Sequence, residues 1–159
     1  MSKLKIYLDT SVISYLDQQD SPEKMAETHK LWDKIKVGEF DVVISSVEIQ
    51  EINDCEENKR NKLIKYLDEI NYTLVLLTEK TIEIASRIVE LDILKQKDID
   101  DCRHIAAAIV SGCNAFVSWS FRHIVNHKTM MGVKAVTALE GYNNLLIYAP
   151  SNLIEGEDE

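Results

Sequence analysis

The chain has 159 residues, of which 45% are hydrophobic and 28% charged, and it carries a formal net charge of −9. That composition suits a single globular domain with a real core, and no apolar run approaches the ~20 residues of a membrane span. The acidity argues against a nonspecific nucleic-acid coat, which is normally basic, so any nucleic acid must be met through local basic patches or bound cations. Cys55, Cys102 and Cys113 are odd in number and form no C-x-x-C pair. Neither a disulfide framework nor a zinc site is expected, and a reducing cytoplasm is the expected compartment. The opening Met1-Ser-Lys-Leu-Lys leads straight into a strand pattern and lacks the features of a signal peptide.

Leu4, Ile6 and Leu8, with Tyr7 between them, predict a strand buried on both faces. Thr10 and Ser11 then open a second apolar run, which reads as a sharp turn into a helix. Asp9 falls at the carboxyl end of the strand, the edge where open parallel α/β sheets bind ligands. An aspartate there also makes a good helix cap. A helix is predicted from Pro22 to Val37, with Met25, Leu31, Trp32 and Ile35 near one face, a proline in its first turn and Gly38 at its end. Val42-Val43-Ile44 predicts a second buried strand. Ser45-Ser46 opens another helix, with Val47, Ile49 and Ile52 apolar and Glu48 and Glu51 polar.

After a polar break, Lys59 to Ile70 reads as a helix with Leu63, Ile64 and Leu67 inward. Thr73 to Leu77 reads as a third strand. A long helix follows from Thr78 through about Leu94, with Ile82, Ala85, Ile88, Val89 and Ile93 as its apolar stripe. Asp98 to Ser111 is the next predicted helix, stopped by Gly112. Ala115-Phe-Val-Ser forms a fourth strand. Residues 120–141 are irregular and then helical over Thr129 to Leu139, and Leu145-Leu-Ile-Tyr is a fifth strand stopped by Pro150. The tail, Glu155-Gly-Glu-Asp-Glu159, is acidic and expected to be disordered, leaving residues 1–154 as the domain. Strands alternating with helices predict an α/β fold: a central parallel five-stranded sheet with helices on both faces in three layers. Fold alone does not give function.

Three acids recur at strand ends and helix starts. Asp9 follows the first strand, Glu51 lies in the first turns after the second, and Asp101 lies in the first turn of Asp98-Ile-Asp-Asp-Cys-Arg-His-Ile. In a parallel sheet these ends share one edge, so the carboxylates can converge. Crowded carboxylates repel one another and resist ionisation, and hard divalent cations with oxygen ligands relieve this. The chemistry such a set serves is metal-assisted phosphodiester hydrolysis. Each acid also has the plainer role of complementing a helix N-terminus. With Cys102, Ile105, Ala106, Ile109 and Cys113 inward, Asp101 borders the buried face and Asp100 points outward. Asp98, one turn earlier on the same side, is a secondary ligand candidate. Spacing does not choose between Glu48 and Glu51. His104 is read as a structural hydrogen-bonding residue. Arg122, His123, His127, Lys128 and Lys134 cluster after the fourth strand, where they either hold RNA phosphates or form a solvated loop. Lys59, Arg60, Lys62 and Lys65 read as a solvated face, and Trp32 and Met130-Met131 as packing.

Taken together these segments resemble the PIN-domain family, the α/β/α ribonuclease fold that includes VapC-type toxins of bacterial toxin–antitoxin pairs. Tyr7-Leu-Asp-Thr-Ser-Val-Ile resembles the family's opening strand ending in Asp. Ile44-Ser-Ser-Val-Glu-Ile-Gln-Glu-Ile resembles its Ser-x(5)-Glu helix, mapping the second acid onto Glu51. Asp101-Cys-Arg-His-Ile-Ala-Ala-Ala resembles its Asp-x-x-His-Ile-Ala helix. Phe116-Val-Ser-Trp-Ser-Phe-Arg-His-Ile and Tyr148-Ala-Pro-Ser-Asn-Leu-Ile resemble its fourth strand and its end. The ordered set covers nearly the whole chain.

The resemblance implies a Mg²⁺- or Mn²⁺-dependent endoribonuclease with Asp9, Glu51 and Asp101 as metal ligands and catalytic acids. Asp98, Ser11 and Ser120 are secondary candidates, and Arg122, His123 and Lys128 are candidate RNA phosphate contacts. RNA is the implied substrate, with an antitoxin protein and a second copy of the chain as implied partners. Many members carry a fourth acid in a Thr-x-Asp pattern after the fourth strand, where this chain has Ser120. A hydroxyl adds no negative charge, so a catalytically weak or inactive module that binds RNA or protein is the alternative. Phosphotransfer domains fit less well. The phosphatase type needs a second Asp where Ser11 stands, and the receiver type needs an Asp and a Lys near Thr78 and Ala149.

Overall fold

The structure, a computed structural model, describes residues 3–154. The acidic tail lies outside the described residues. Along the chain run β1 (Leu4–Leu8), α1 (Thr10–Ser14), a 3-10 turn (Tyr15–Asp17), α2 (Pro22–Lys36), β2 (Phe40–Ser45), α3 (Ser46–Asn53) and α4 (Glu57–Asp68). They are followed by β3 (Thr73–Val75), α5 (Glu79–Glu90), a 3-10 turn (Gln96–Asp98), α6 (Ile99–Val110), β4 (Ala115–Val117), α7 (His127–Glu140), β5 (Leu146–Tyr148) and α8 (Pro150–Ile154). The strands form one five-stranded sheet in the order β3-β2-β1-β4-β5. Every pairing is parallel; Tyr7 registers with Val43 on one side and Phe116 on the other.

Alternation along β1 divides the core into two layers. Tyr7 faces one layer with Val43, Phe116 and Ile147, covered by α5, α6 and α7. Ile6 and Leu8 face the other with Val42, Ile44, Ala115 and Val117, covered by α1, α2 and α4. The order also sets the site. The chain leaves β1 for β2 in one direction and later crosses to β4 on the other side. The carboxyl edge between β1 and β4 is therefore the switch point, where connections diverge and leave a crevice.

Local signals account for most boundaries. Ser45 caps α3 by accepting from Val47, with Glu48 reaching back to the Ser45 backbone. Glu56 caps α4 and Asn126 caps α7 in the same way, accepting from Lys59 and Thr129, so both helices begin two residues before their predicted starts. Pro150 ends β5 and also starts α8, since a helix's first position does not need its N–H.

The long predicted helix 78–94 is shorter. α5 stops at Glu90 because Asp92 takes a left-handed conformation (φ 58°). Ile93 then donates to the Ile88 carbonyl and Asp92 to that of Val89. Those two bonds are a Schellman closure, and they turn Ile93 and Leu94 down into the core. α6 closes identically, with Gly112 (φ 74°) in the position of Asp92.

Several apolar assignments also shift. Ile82 is 54% exposed while Ile84 is buried, because the α5 face defined by Thr81, Ile84, Ala85 and Ile88 is the one packed on α6. Ile64, Met130 and Met131 are exposed, and Glu48 is buried completely. Among the described residues no helix is long and apolar enough to cross a membrane.

Asp92 holds a conformation that costs an L-residue about 1–2 kcal/mol and glycine nothing. Asp92→Gly is expected to raise stability by up to about 1 kcal/mol, which corresponds to roughly 2–4 °C in melting temperature for a domain of this size. Thermal unfolding followed by circular dichroism checks it; a lower melting temperature would show that the aspartate side chain contributes more than its strain costs.

Candidate active site

Asp9 stands one residue past β1 and is only 5% exposed. Its backbone N–H donates to the Val117 carbonyl at 3.0 Å, which extends the β1–β4 pairing to the sheet edge. Its Oδ2 accepts from Ser11 Oγ at 2.8 Å and from Ser118 Oγ at 2.7 Å. Each serine is itself fixed: Ser11 Oγ accepts from the Trp119 N–H and Ser118 Oγ from the Ser120 N–H, both at 2.9 Å. One carboxylate oxygen is thus saturated by hydroxyls. The other, Oδ1, faces the crevice, 3.9 Å from His104 Nε2.

The two glutamates of α3 separate cleanly. Glu48 belongs to the helix's first turn and turns inward, 0% exposed, with its Oε2 unpartnered. Burial, reinforced by the Asp9 charge and opposed by His104, pushes its carboxyl well above the usual range. Glu51, one turn on, has a side chain 36% exposed and leans over α1 and α6. It accepts from Thr10 Oγ1 at 3.1 Å and forms a short hydrogen bond with His104 Nε2. The geometry therefore leaves Glu51, not Glu48, at the crevice.

His104, the residue read as structural, lies at the centre. Its Nε2 reaches Glu51 and Thr10, and its Nδ1 lies 2.6 Å from the Tyr7 hydroxyl, which in turn meets Ser45 Oγ at 2.7 Å. Burial alone would push this imidazole down. The Glu51 hydrogen bond and the charges of Asp9, Glu48 and Glu51 outweigh it and raise the pKa from 6.5 to about 9. As an imidazolium, His104 donates from Nε2 to Glu51 and from Nδ1 to the Tyr7 hydroxyl, which also shares a hydrogen bond with Ser45 Oγ.

Asp101 borders α6's buried face, and Asp100, exposed, pairs with Arg103 at 2.9 Å. Burial raises the Asp101 carboxyl, and the Asp9 charge raises it further, while a hydrogen bond with His123 lowers it. His123 Nδ1 is 3.1 Å from Asp101 Oδ2 and 3.8 Å from Asp98 Oδ1. One ligand atom from each of Asp98, Asp101 and His123 fits within a 4.8 Å span. The donors at this edge are carboxylate oxygens with one imidazole, and the Asp9 charge adds to burial in raising the Asp101 carboxyl. That is the chemistry a hard or borderline divalent cation fits.

Ser120 joins through its backbone, and Ser118, two residues earlier, is the side chain that meets Asp9. Beside His123 opens a cleft of about 200 Å³, lined by Lys95, Lys97, Asp98, Arg122 and Lys128 among others. His127 and Lys134 do not line it, and His127 starts α7. The active contributions of Ser118, His104 and Tyr7 had only one sequence signal each: a hydroxyl following a buried strand, or a polar residue inside an apolar stretch.

No family model matches the chain, and no curated protein matches it in sequence. Among solved structures it is similar to a chain of VapBC2 from Rickettsia felis bound to a DNA fragment from their promoter. The TM-score is 0.59 at 12% identity, over 92% of this chain and 98% of that one. The likeness is one of fold.

Because folded His104 holds its proton more tightly than an unfolded histidine, its contribution to stability is complete below pH 6.5 and is lost as pH rises through about 9. Urea denaturation of the metal-free protein is expected to show stability falling across that window, with His104→Gln flattening the slope. A wild-type profile that stays level or climbs there contradicts a charged His104.

Proposed function

We propose that residues 1–154 form a PIN-like, divalent-cation-dependent endoribonuclease, the toxin component of a toxin–antitoxin pair. The observation that supports this is that Asp9 and Glu51 both approach His104 Nε2 at the switch-point edge, with Asp9 near enough to Asp101 to add to the rise that burial gives its carboxyl. The fold shared with a chain of a VapBC complex supports the toxin assignment and an antitoxin partner. A second copy of the chain and a cytoplasmic location are further parts of the proposal. The first follows from the resemblance, the second from the free thiols of Cys55, Cys102 and Cys113.

Asp9, Glu51 and Asp101 are the residues that would hold Mg²⁺ or Mn²⁺, with Asp98 and His123 beside them. Such a cation supplies charge neutralisation at phosphorus and a more acidic water. The protein supplies position. Ser11 and Ser118 lock the Asp9 rotamer, so Oδ1 is presented without entropy cost at the moment of reaction. His104 and Thr10 aim Glu51. Arg122, His123 and Lys128 lie along the adjacent cleft, where they would offset the charge of the phosphates flanking the scissile one. Water attacks phosphorus in line with the departing oxygen: the new P–O bond forms as the old one breaks, the water gives up a proton to solvent, and the leaving oxygen takes one up as a hydroxyl.

Asp9→Asn keeps the shape and the hydroxyl contacts but removes the charge. It is expected to reduce RNA cleavage by more than the roughly 10- to 100-fold that losing an outer-shell partner costs, with the circular-dichroism spectrum unchanged. Full activity in a contaminant-controlled assay would move the chemistry elsewhere.

A second reading is favoured by Ser120: with no acid at that place, the module binds RNA or protein and cuts weakly. Ser120→Asp tests it. If Ser120 borders the cation, the added carboxylate tightens Mn²⁺ binding in calorimetry and raises cleavage. Unchanged affinity and rate would show that Ser120 faces away from the cation, as its backbone role allows.

A further inference from the structure

Next to the carboxylates stands a set of aromatic rings that the proposed chemistry does not use. Ser11, whose hydroxyl holds Asp9, is one helical turn before Tyr15, and its Oγ also accepts from the backbone of Trp119. Tyr15 stacks on Trp119 with centroids 5.8 Å apart and planes 24° apart, and Trp119 meets Phe121 at 6.2 Å. Lys24, from α2, places its ammonium 5.9, 5.6 and 5.3 Å from the centroids of Tyr15, Trp119 and Phe121.

Two of these rings are accounted for by packing. Trp119 is 6% exposed and its Nε1 donates to Thr28 Oγ1 at 2.8 Å, while Tyr15 packs against the same core layer. Phe121 is different. It is 47% exposed, on a tight turn in which its N–H donates to the Trp119 carbonyl. Asn126 Nδ2 pins that turn by donating to the carbonyls of Phe121 and Arg122 at 3.0 and 3.1 Å. A large aromatic face is thus held rigidly toward solvent, with the Lys24 cation on one flank and Arg122 next in the chain. The turn begins at Ser118, which touches Asp9 itself.

Resting on the nuclease assignment above, we propose that Phe121 is a stacking platform for an unpaired RNA base next to the scissile phosphate, with Lys24 meeting the neighbouring backbone. A ring on a rigid support buries a base face at little entropic cost, and a cation held over that ring suits the phosphate that follows. Bases in a duplex are already stacked on one another, so the platform selects single-stranded segments. Every base has a π face, so it selects them with little regard to sequence.

The test measures binding of a labelled single-stranded ten-nucleotide RNA by anisotropy in EDTA, which separates binding from cleavage. Phe121→Ala is expected to weaken binding roughly 5- to 150-fold, the span for loss of one stacked base, and Phe121→Trp to restore it. Phe121→Leu, which keeps the bulk without the π face, follows the alanine variant and serves should that one not fold. Oligonucleotides with a single abasic position distinguish stacking from a general disturbance: at one position the Phe121→Leu penalty disappears. Duplex RNA is bound alike by wild type and variant. Equal single-strand affinity in wild type and Phe121→Leu overturns the platform, as does equal loss for single strand and duplex. If wild type cuts RNA with Mn²⁺ while the variants bind normally, only this inference falls. If wild type neither binds nor cuts RNA, the nuclease assignment falls with it.

Discussion

Three carboxyl groups approach one buried imidazole, and the arrangement of the carboxyl edge depends on how His104 offsets their repulsion. In a crevice of low dielectric, Asp9, Glu48 and Glu51 cannot all stay ionised without a counter-charge. The chain meets this in two ways. Burial holds the fully buried Glu48 carboxyl well above the usual range, while the Glu51 hydrogen bond and the neighbouring carboxylates hold the pKa of His104 above that of a free imidazole.

Geometry and electrostatics are coupled here through the sheet. Asp9 is positioned by a backbone bond to β4 and by a hydroxyl from each side of the switch point, so packing of β1 against β4 is also what orients its carboxylate. Tyr7 links the same strand to the opposite face. Its ring stacks on Phe116 at 5.2 Å, and its hydroxyl ties Ser45 at the end of β2 to His104 in α6. A change in either core layer would thus reach the site through one or two contacts. Asp101 is held less tightly, by His123 from a loop after β4, and this is the side on which the basic cleft opens.

Much was legible in the residues themselves. Short β-branched runs separated by helical periods determine a parallel sheet with covered faces, since such strands need burial on both sides. The placement of Asp9 just past a buried strand and of Asp101 beside the apolar stripe of its helix also follows from spacing, because the periods of 2 and 3.6 assign each side chain a face. Gly112 marks the end of α6 for a conformational reason visible in its identity.

The tertiary structure alone decided the rest. Glu48 and Glu51 are one helical turn apart, and only the packing of α3 on Tyr7 and His104 buries the first and exposes the second. Ser118 and Ser120 have the same chemistry; the turn after β4 directs the first hydroxyl to Asp9 and gives the second residue a backbone role. Asp92 ends α5 because the chain must bring Ile93 and Leu94 into the core, a demand that overrides the cost of a left-handed conformation at an L-residue. His104 becomes a charged hub only because residues from β1, α1 and α3 surround it. Local sequence determines which face a group occupies, but its charge and partners depend on residues as much as 109 positions away, which only the folded chain brings into contact.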